Sequence, residues 1–321
     1  MFTHSIVVPN ETITAATAPS FDLPVSPMSH LLVTIKFAQN QANTQLAFAN
    51  IPLMISKLEV LYKGASVCSM NGLDLIACGI FICDFESWGV NCTGADNDLL
   101  AFTFLVPFGR QLYSPVECYP SQSRGELVLQ ITWAASFTQI DGATLQVEAV
   151  ELPGATPQRF LKMTTSHVTF VGTTEQDIEL PIGNQISDIV LWGTTIPALD
   201  VATRTIATVQ IRKNNSEYMY SRTNFESLHN MAGRLRAAPG YYGSHTHQLL
   251  AAAFAQYDHT STPNPAGHII ARHLHVPFDV RHDGVHMLKT DDANDLNIRI
   301  KPDVAAAVRV IPCEVVDVGA R

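Results

Sequence analysis

One segment of this chain is written twice. Phe21-Asp22-Leu23-Pro24-Val25 precedes the apolar run Leu31-Leu32-Val33, and Ile178-Glu179-Leu180-Pro181-Ile182 precedes Ile189-Val190-Leu191. Leu23 and Leu180 stand 157 residues apart in a chain of 321, close to half its length. Three further blocks recur in the same order. Lys57-Leu58-Glu59-Val60 leading to Asn71-Gly72-Leu73-Asp74 is answered by Thr208-Val209-Gln210-Ile211 leading to Thr223-Asn224-Phe225-Glu226. Phe104-Leu105-Val106-Pro107-Phe108 is answered by Leu274-His275-Val276-Pro277-Phe278, and Glu126-Leu127-Val128-Leu129-Gln130-Ile131 by Asp295-Leu296-Asn297-Ile298-Arg299-Ile300. A lone V-P-F carries no information, but four collinear similarities argue for two copies of one fold.

The repeat sets the domain organisation. It predicts a first domain over residues 1–158 and a second over 159–321, each of ordinary domain size. The offset between matching blocks grows from 151 at Val209 to 170 at Val276, so the second copy carries about 19 extra residues between them. They fall within an excursion at about 234–268, read as a Gly/Tyr/His loop, a small Ala-rich helix and a second loop.

Within each copy the residues read as short strands. His30 to Phe37, Leu58 to Tyr62, Phe102 to Val106 and Glu126 to Trp133 are rich in Val, Ile, Leu and Thr, with Pro9, Pro19, Pro24 and Pro27 as punctuation that excludes helix. Asn71 with Asp74, and Thr223 with Glu226, resemble helix starts, the second a capping box. About eight strands and one short helix per copy, without alternation of helix and strand, predict an all-β chain of two tandem eight-stranded jelly rolls, each an antiparallel sandwich.

Charge and hydropathy narrow the function. Charged residues make up 15% and hydrophobic residues 46%, and the net charge is −9. No basic run exceeds Arg212-Lys213, so direct nucleic-acid binding is not expected. Met1-Phe2-Thr3-His4 has no charged region followed by an apolar core, which predicts no signal peptide. The most apolar run, Leu75 to Cys83, is short of the roughly 20 residues that span a bilayer. Six cysteines at 68, 78, 83, 92, 118 and 313 follow no zinc or disulfide spacing, so reduced thiols are expected.

Two H-x-H pairs raise the question of a metal. His245 with His247, and His273 with His275, each place two imidazoles on one face of a strand, as double-stranded β folds that bind iron or zinc do. No carboxylate follows His247 until Asp258, and the positions matching His273 and His275 in the first copy are Thr103 and Leu105, which offer no ligands. No metal centre, no catalytic residue and no cofactor is therefore expected. The acidic clusters Asp96-Asn97-Asp98 and Asp291-Asp292-Ala293-Asn294-Asp295 read as turns rather than calcium loops. Trp88, Trp133 and Trp192 are the only tryptophans, and the two in strands read as core.

Two jelly rolls in tandem, with Leu180-Pro181-Ile182-Gly183 before Ile186-Ser187-Asp188-Ile189 and Val209-Gln210-Ile211 running into Phe225-Glu226-Ser227-Leu228, resemble the double jelly-roll major capsid proteins of icosahedral viruses with an internal membrane. That lineage includes adenovirus, the tectiviruses, the corticoviruses and the finnlakeviruses. The resemblance implies a non-enzymatic structural protein of the virion, assembled in the host cytoplasm. It implies a homotrimer whose six rolls form a pseudo-hexagonal capsomer, with neighbouring capsomers, a vertex (penton) protein and an internal membrane at the base as partners. It makes the excursion a candidate tower or inter-subunit loop and Met1 to Ser20 a candidate inward arm. The alternatives are a bicupin-like metal-dependent or glycan-acting enzyme and a carbohydrate-binding or adhesion module.

Overall fold

The computed structural model describes residues 1–39, 50–85, 87, 89–90, 99–138, 140–195, 204–235 and 272–320. The chain divides into two compact units, Met1–Thr164 with Val316–Arg321, and Thr165–Val315. The first unit extends past residue 158 because Arg159–Thr164 forms a strand that pairs in parallel with the first unit's own Ala65–Met70.

The first unit holds β1 (Thr3–Thr12), β2 (Ser20–Asp22), β3 (Met28–Gln39), β4 (Ile55–Tyr62), β5 (Ala65–Met70), β6 (Gly89–Val90), β7 (Leu99–Pro107), β8 (Leu127–Trp133), β9 (Ile140–Glu151) and β10 (Arg159–Thr164). A helix, α1 (Gly72–Cys83), follows β5. One sheet runs β1-β9-β3-β7, with the short β6 at its edge. The other runs β2-β8-β4-β5, with β10 beside β5.

The second unit repeats this order. It holds β11 (Ser166–Thr169), β12 (Gln176–Glu179), β13 (Gln185–Gly193), β14 (Thr208–Lys213), β15 (Ser216–Glu217), β16 (Thr223–Asn224), α2 (Phe225–Leu235), β17 (His273–Pro277), β18 (Leu296–Lys301) and β19 (Ala307–Asp317). One sheet runs β11-β19-β13-β17 and the other β12-β18-β14-β15. In each unit the first, eighth, third and sixth main strands form one sheet and the second, seventh, fourth and fifth form the other. That is the jelly-roll order, with one helix between the fifth and sixth strands. The repeated blocks fall on equivalent elements: the Leu-Pro motifs end β2 and β12, the V-P-F segments end β7 and β17, and the E-L and D-L blocks open β8 and β18.

Alternation explains the sandwiches. On β3, Leu31, Val33, Ile35 and Phe37 have 1% exposure or less, while Thr34 and Lys36 point to the other face. In the second unit Ile189 and Leu191 of β13, Val209 and Ile211 of β14, Leu274 and Val276 of β17 and Ile298 and Ile300 of β18 meet in one core. The hairpins from β4 to β5 and from β14 to β15 both turn through two left-handed residues, Lys63-Gly64 (φ 50° and 85°) and Asn214-Asn215 (φ 50° and 63°), the backbone a tight antiparallel hairpin needs.

The apolar run Leu75 to Cys83 is the body of α1, with Asn71 as its cap accepting a hydrogen bond from the Asp74 amide at 2.9 Å. Among the described residues no helix is long and apolar enough to cross a membrane. Two expectations need correction. The helix of the second unit begins at Phe225, so Thr223 is not its cap: Thr223 pairs with Val209 in β16, and Glu226 forms an ion pair with Arg204 instead of closing a capping box. Nor is Met1 to Ser20 an arm, because Thr3–Thr12 is the first strand of its roll, hydrogen-bonded along β9.

Candidate functional site

His273 and His275 lie on β17, two residues apart and on one face, and neither has exposed surface. They do not make an open ligand pair. His275 Nε2 donates to Asp188 Oδ1 at 2.8 Å, and Asp188, on the neighbouring β13, is likewise wholly buried. Burial by itself raises the Asp188 carboxyl, but the hydrogen bond and charge of His275, with a smaller contribution from Ser187, hold it below the usual aspartate value. His273 faces Trp192 across the ladder, and the Arg309 guanidinium sits 3.6 Å from the centre of that indole. His229 of α2 stacks on Phe225 with centroids 5.3 Å apart, and burial pushes its pKa down to about 4.

His245 and His247 lie outside the described residues, as do nearly all of the 234–268 excursion, Trp88, Cys92 and the Asp96-Asn97-Asp98 cluster. Among the described residues no group of three or more His, Cys, Asp or Glu side chains is placed to hold a metal. The second acidic cluster is a closed turn: Asp292 pairs with Lys213, and the Asn294 amide donates to Asn214 Oδ1 at 2.8 Å. Cys68, Cys78, Cys118 and Cys313 are buried free thiols, and burial pushes the Cys68 thiol up and the Cys118 thiol up to about 11, so neither of those two is poised as a thiolate. Trp133 is core, at 2% exposure.

The first unit handles the equivalent place differently. Asp188 stands opposite Pro277, and the residue opposite Pro107 is His30, so His30 occupies the position of Asp188. The position of His275 is the buried Leu105. His30 bonds Ser29 Oγ at 2.9 Å, the same hydroxyl accepts the Tyr113 amide at 2.7 Å, and burial and His4 push the imidazole down to about 4. The backbone frame is nevertheless the same in both rolls: the Phe108 amide donates to Ser29 O and the Phe278 amide to Ser187 O, each at 3.0 Å.

A second buried charge cluster belongs to the first unit alone. Arg110, with no exposed side-chain surface, clasps Glu117 through Nε and Nη2 at 2.8 Å each, and Arg159 Nε approaches the same carboxylate at 3.0 Å. Burial favours the neutral carboxyl, but the two guanidiniums outweigh it and keep Glu117 below the usual glutamate value. The cluster fastens the loop after β7 to the start of β10. Spacing gave no signal for it, since Arg110, Glu117 and Arg159 form no motif.

Among the described residues, one cleft of about 350 Å³ opens on the first unit and one of about 410 Å³ on the second. The first is lined by Glu11, Thr12, Thr17 and Trp133, the second by Lys213, Glu217, Asp291 and Asp292, and neither brings a His or Cys to its wall. What the described residues provide in each unit is an antiparallel sandwich with a buried charge pair.

No protein-family model matches the chain, and no curated protein matches it in sequence. Solved structures do match. The major capsid protein of Sulfolobus Turreted Icosahedral Virus superposes with a TM-score of 0.69 at 11% identity, over 99% of this chain and 97% of that one. Major capsid protein P2 of bacteriophage PM2 gives 0.63 at 11% identity, over 98% and 97%. The PBCV-1 virus capsid gives 0.61 at 9% identity, over 98% and 93%. The chain has the double jelly-roll fold of these major capsid proteins along its whole length.

Proposed function

We infer that this chain is a major capsid subunit of an icosahedral virus. The observation that carries the reading is the pair of jelly rolls with one strand order in a single chain, matched in both its halves at once by capsid proteins. A sixfold tile built from three chains needs two similar building blocks per chain, and tandem duplication supplies them. Three copies associate through their rolls into a pseudo-hexagonal capsomer. Capsomers then meet neighbouring capsomers, a vertex protein closes the fivefold positions, and the shell surrounds a membrane in the virion, assembled in the host cytoplasm. The net charge of −9 suits a coat that does not grip the genome. The chain works by geometry and carries out no catalysis.

Negative-stain electron microscopy of the purified protein tests this. Three-lobed particles with a hexagonal outline are expected, with sheets of them at high concentration. Single two-lobed particles at every concentration would refute the reading, and a metal-dependent or glycan-acting enzyme would produce that picture.

A further inference from the structure

Trp133 ends β8 with its ring in the core of the first unit and 2% of its surface left outside. Its indole Nε1–H donates to no acceptor among the described residues, and it is not one of the polar atoms sealed without a partner, so the surface the side chain keeps includes the N–H. A tryptophan this buried usually gives that donor to the protein. Here the side chain lines the cleft of about 350 Å³ in the first unit, and the N–H opens into it. The cleft is fixed by backbone bonds. Thr12 ends β1, and residues 13–19 cross to β2 fastened along their length: the Ile13 amide donates to Ala143 O at 2.8 Å, the Ala16 amide to Ala134 O at 2.9 Å and the Trp133 amide to Thr17 O at 2.9 Å. Thr17 Oγ1 donates to Thr14 O at 2.7 Å, closing the turn around the left-handed Ala16 (φ 58°). The second unit has no such donor: the offset of 169 that joins Leu127 to Leu296 puts Pro302 in the place of Trp133.

The groups on the wall select the occupant by elimination. Among the described residues the cleft is lined by one carboxylate, Glu11, and the hydroxyls of Thr12, Thr14 and Thr17, with no Lys, Arg or His, so an anion finds no counter-charge. Trp133, with its ring faces packed away, presents its N–H edge, the positive side of the ring quadrupole, and that edge disfavours a cation. An indole only donates and an ionised carboxylate only accepts, whereas a hydroxyl does both, so neighbouring hydroxyls on one ligand answer the two together. Ile13, Pro19 and Leu145 supply apolar surface between these polar groups, which suits the C–H faces of a sugar ring. The volume stands at the low end of the range for small-molecule pockets, about 300 to 1,000 Å³, and so fits a sugar unit or two rather than a polypeptide. We propose that this cleft binds an uncharged saccharide, with Trp133 Nε1 donating to one hydroxyl and Glu11 accepting from the next. The capsid reading needs no ligand, so the two stand or fall separately.

Saturation-transfer NMR on the full-length protein tests it, with the methyl glycosides of glucose, galactose, mannose and N-acetylglucosamine as probes and light scattering on the same samples to follow assembly. Transfer to at least one glycoside is expected. Trp133→Phe keeps the ring and removes the donor, and Glu11→Gln keeps the shape and removes the charge at an exposed position. Each should weaken binding by about tenfold, with the thermal transition unchanged; if Trp133→Phe lowers that transition, the Glu11→Gln titration decides. Glucuronate and choline, the charged controls, should bind more weakly than the neutral glycoside. Protein that assembles but shows no transfer to any of the four overturns the saccharide site and leaves the capsid reading standing. Binding that survives both substitutions, or a preference for glucuronate or choline, would overturn it too.

Discussion

Asp188 and His275 show how much a buried pair depends on having both members. Each has no exposed surface, and removing one leaves the other's polar group desolvated without its partner. Asp188→Asn should cost about 3 to 5 kcal/mol in chemical denaturation. Asp188→Leu combined with His275→Leu should recover most of that, because Leu105 occupies the matching site in the first unit and packs there without a charge. Measured non-additivity in that cycle is the check. His30 and His229 set the acid behaviour. Their pKa values fall from 6.5 to about 4 in the fold, so the unfolded chain takes up protons that the folded one refuses. The stability from keeping them neutral is complete above about pH 6.5 and is lost progressively down to about pH 4, on the order of 3 kcal/mol for each. Asp188 and Glu117, both held low, add a further loss only below the ordinary carboxylate range. His229→Leu should flatten part of the slope between pH 6.5 and 4 in urea titrations. None of these pairings was legible in the sequence. H-x-H spacing placed His273 and His275 on one face, but it could not say that Asp188 lay diagonally across the ladder.

At the scale of elements, the strands were legible because their side-chain pattern is local. Leu31, Val33, Ile35 and Phe37 alternate with polar or half-buried residues, and a period of two admits one conformation. The Leu-Pro motif was legible for a different reason: proline ends β2 and β12, and the leucine before it plugs each core at 4% and 5% exposure. What the sequence hid were elements defined by distant partners. β10 is a strand because it lies beside β5, and Thr223 pairs with Val209 rather than capping α2. Glu117 belongs to this class. It joins the loop carrying Arg110 to Arg159 at the head of β10, and the Cys118 amide donates to Arg159 O at 3.2 Å alongside. Glu117→Gln leaves the fully buried Arg110 without its counter-charge and should cost about 3 kcal/mol or more. Hydrogen exchange should show the damage first in residues 109–118 and 159–164, not across the second unit.

For the whole molecule, duplication is both the most legible property and the one with the largest consequence. Offsets between repeated blocks range from 151 to 170, yet the strand blocks fall on equivalent strands of the two rolls, because insertions in loops move the numbering without moving the sheets. The two rolls have diverged where packing is interchangeable, His30 for Asp188 and Leu105 for His275, and agree where the backbone must turn or pair. Two rolls per chain would give a particle of three chains six similar lobes. Light scattering coupled to size exclusion tests that association most directly. The capsid account predicts a species of three times the 35.1 kDa chain mass that persists on dilution. A mass of one chain across the whole concentration range would contradict it.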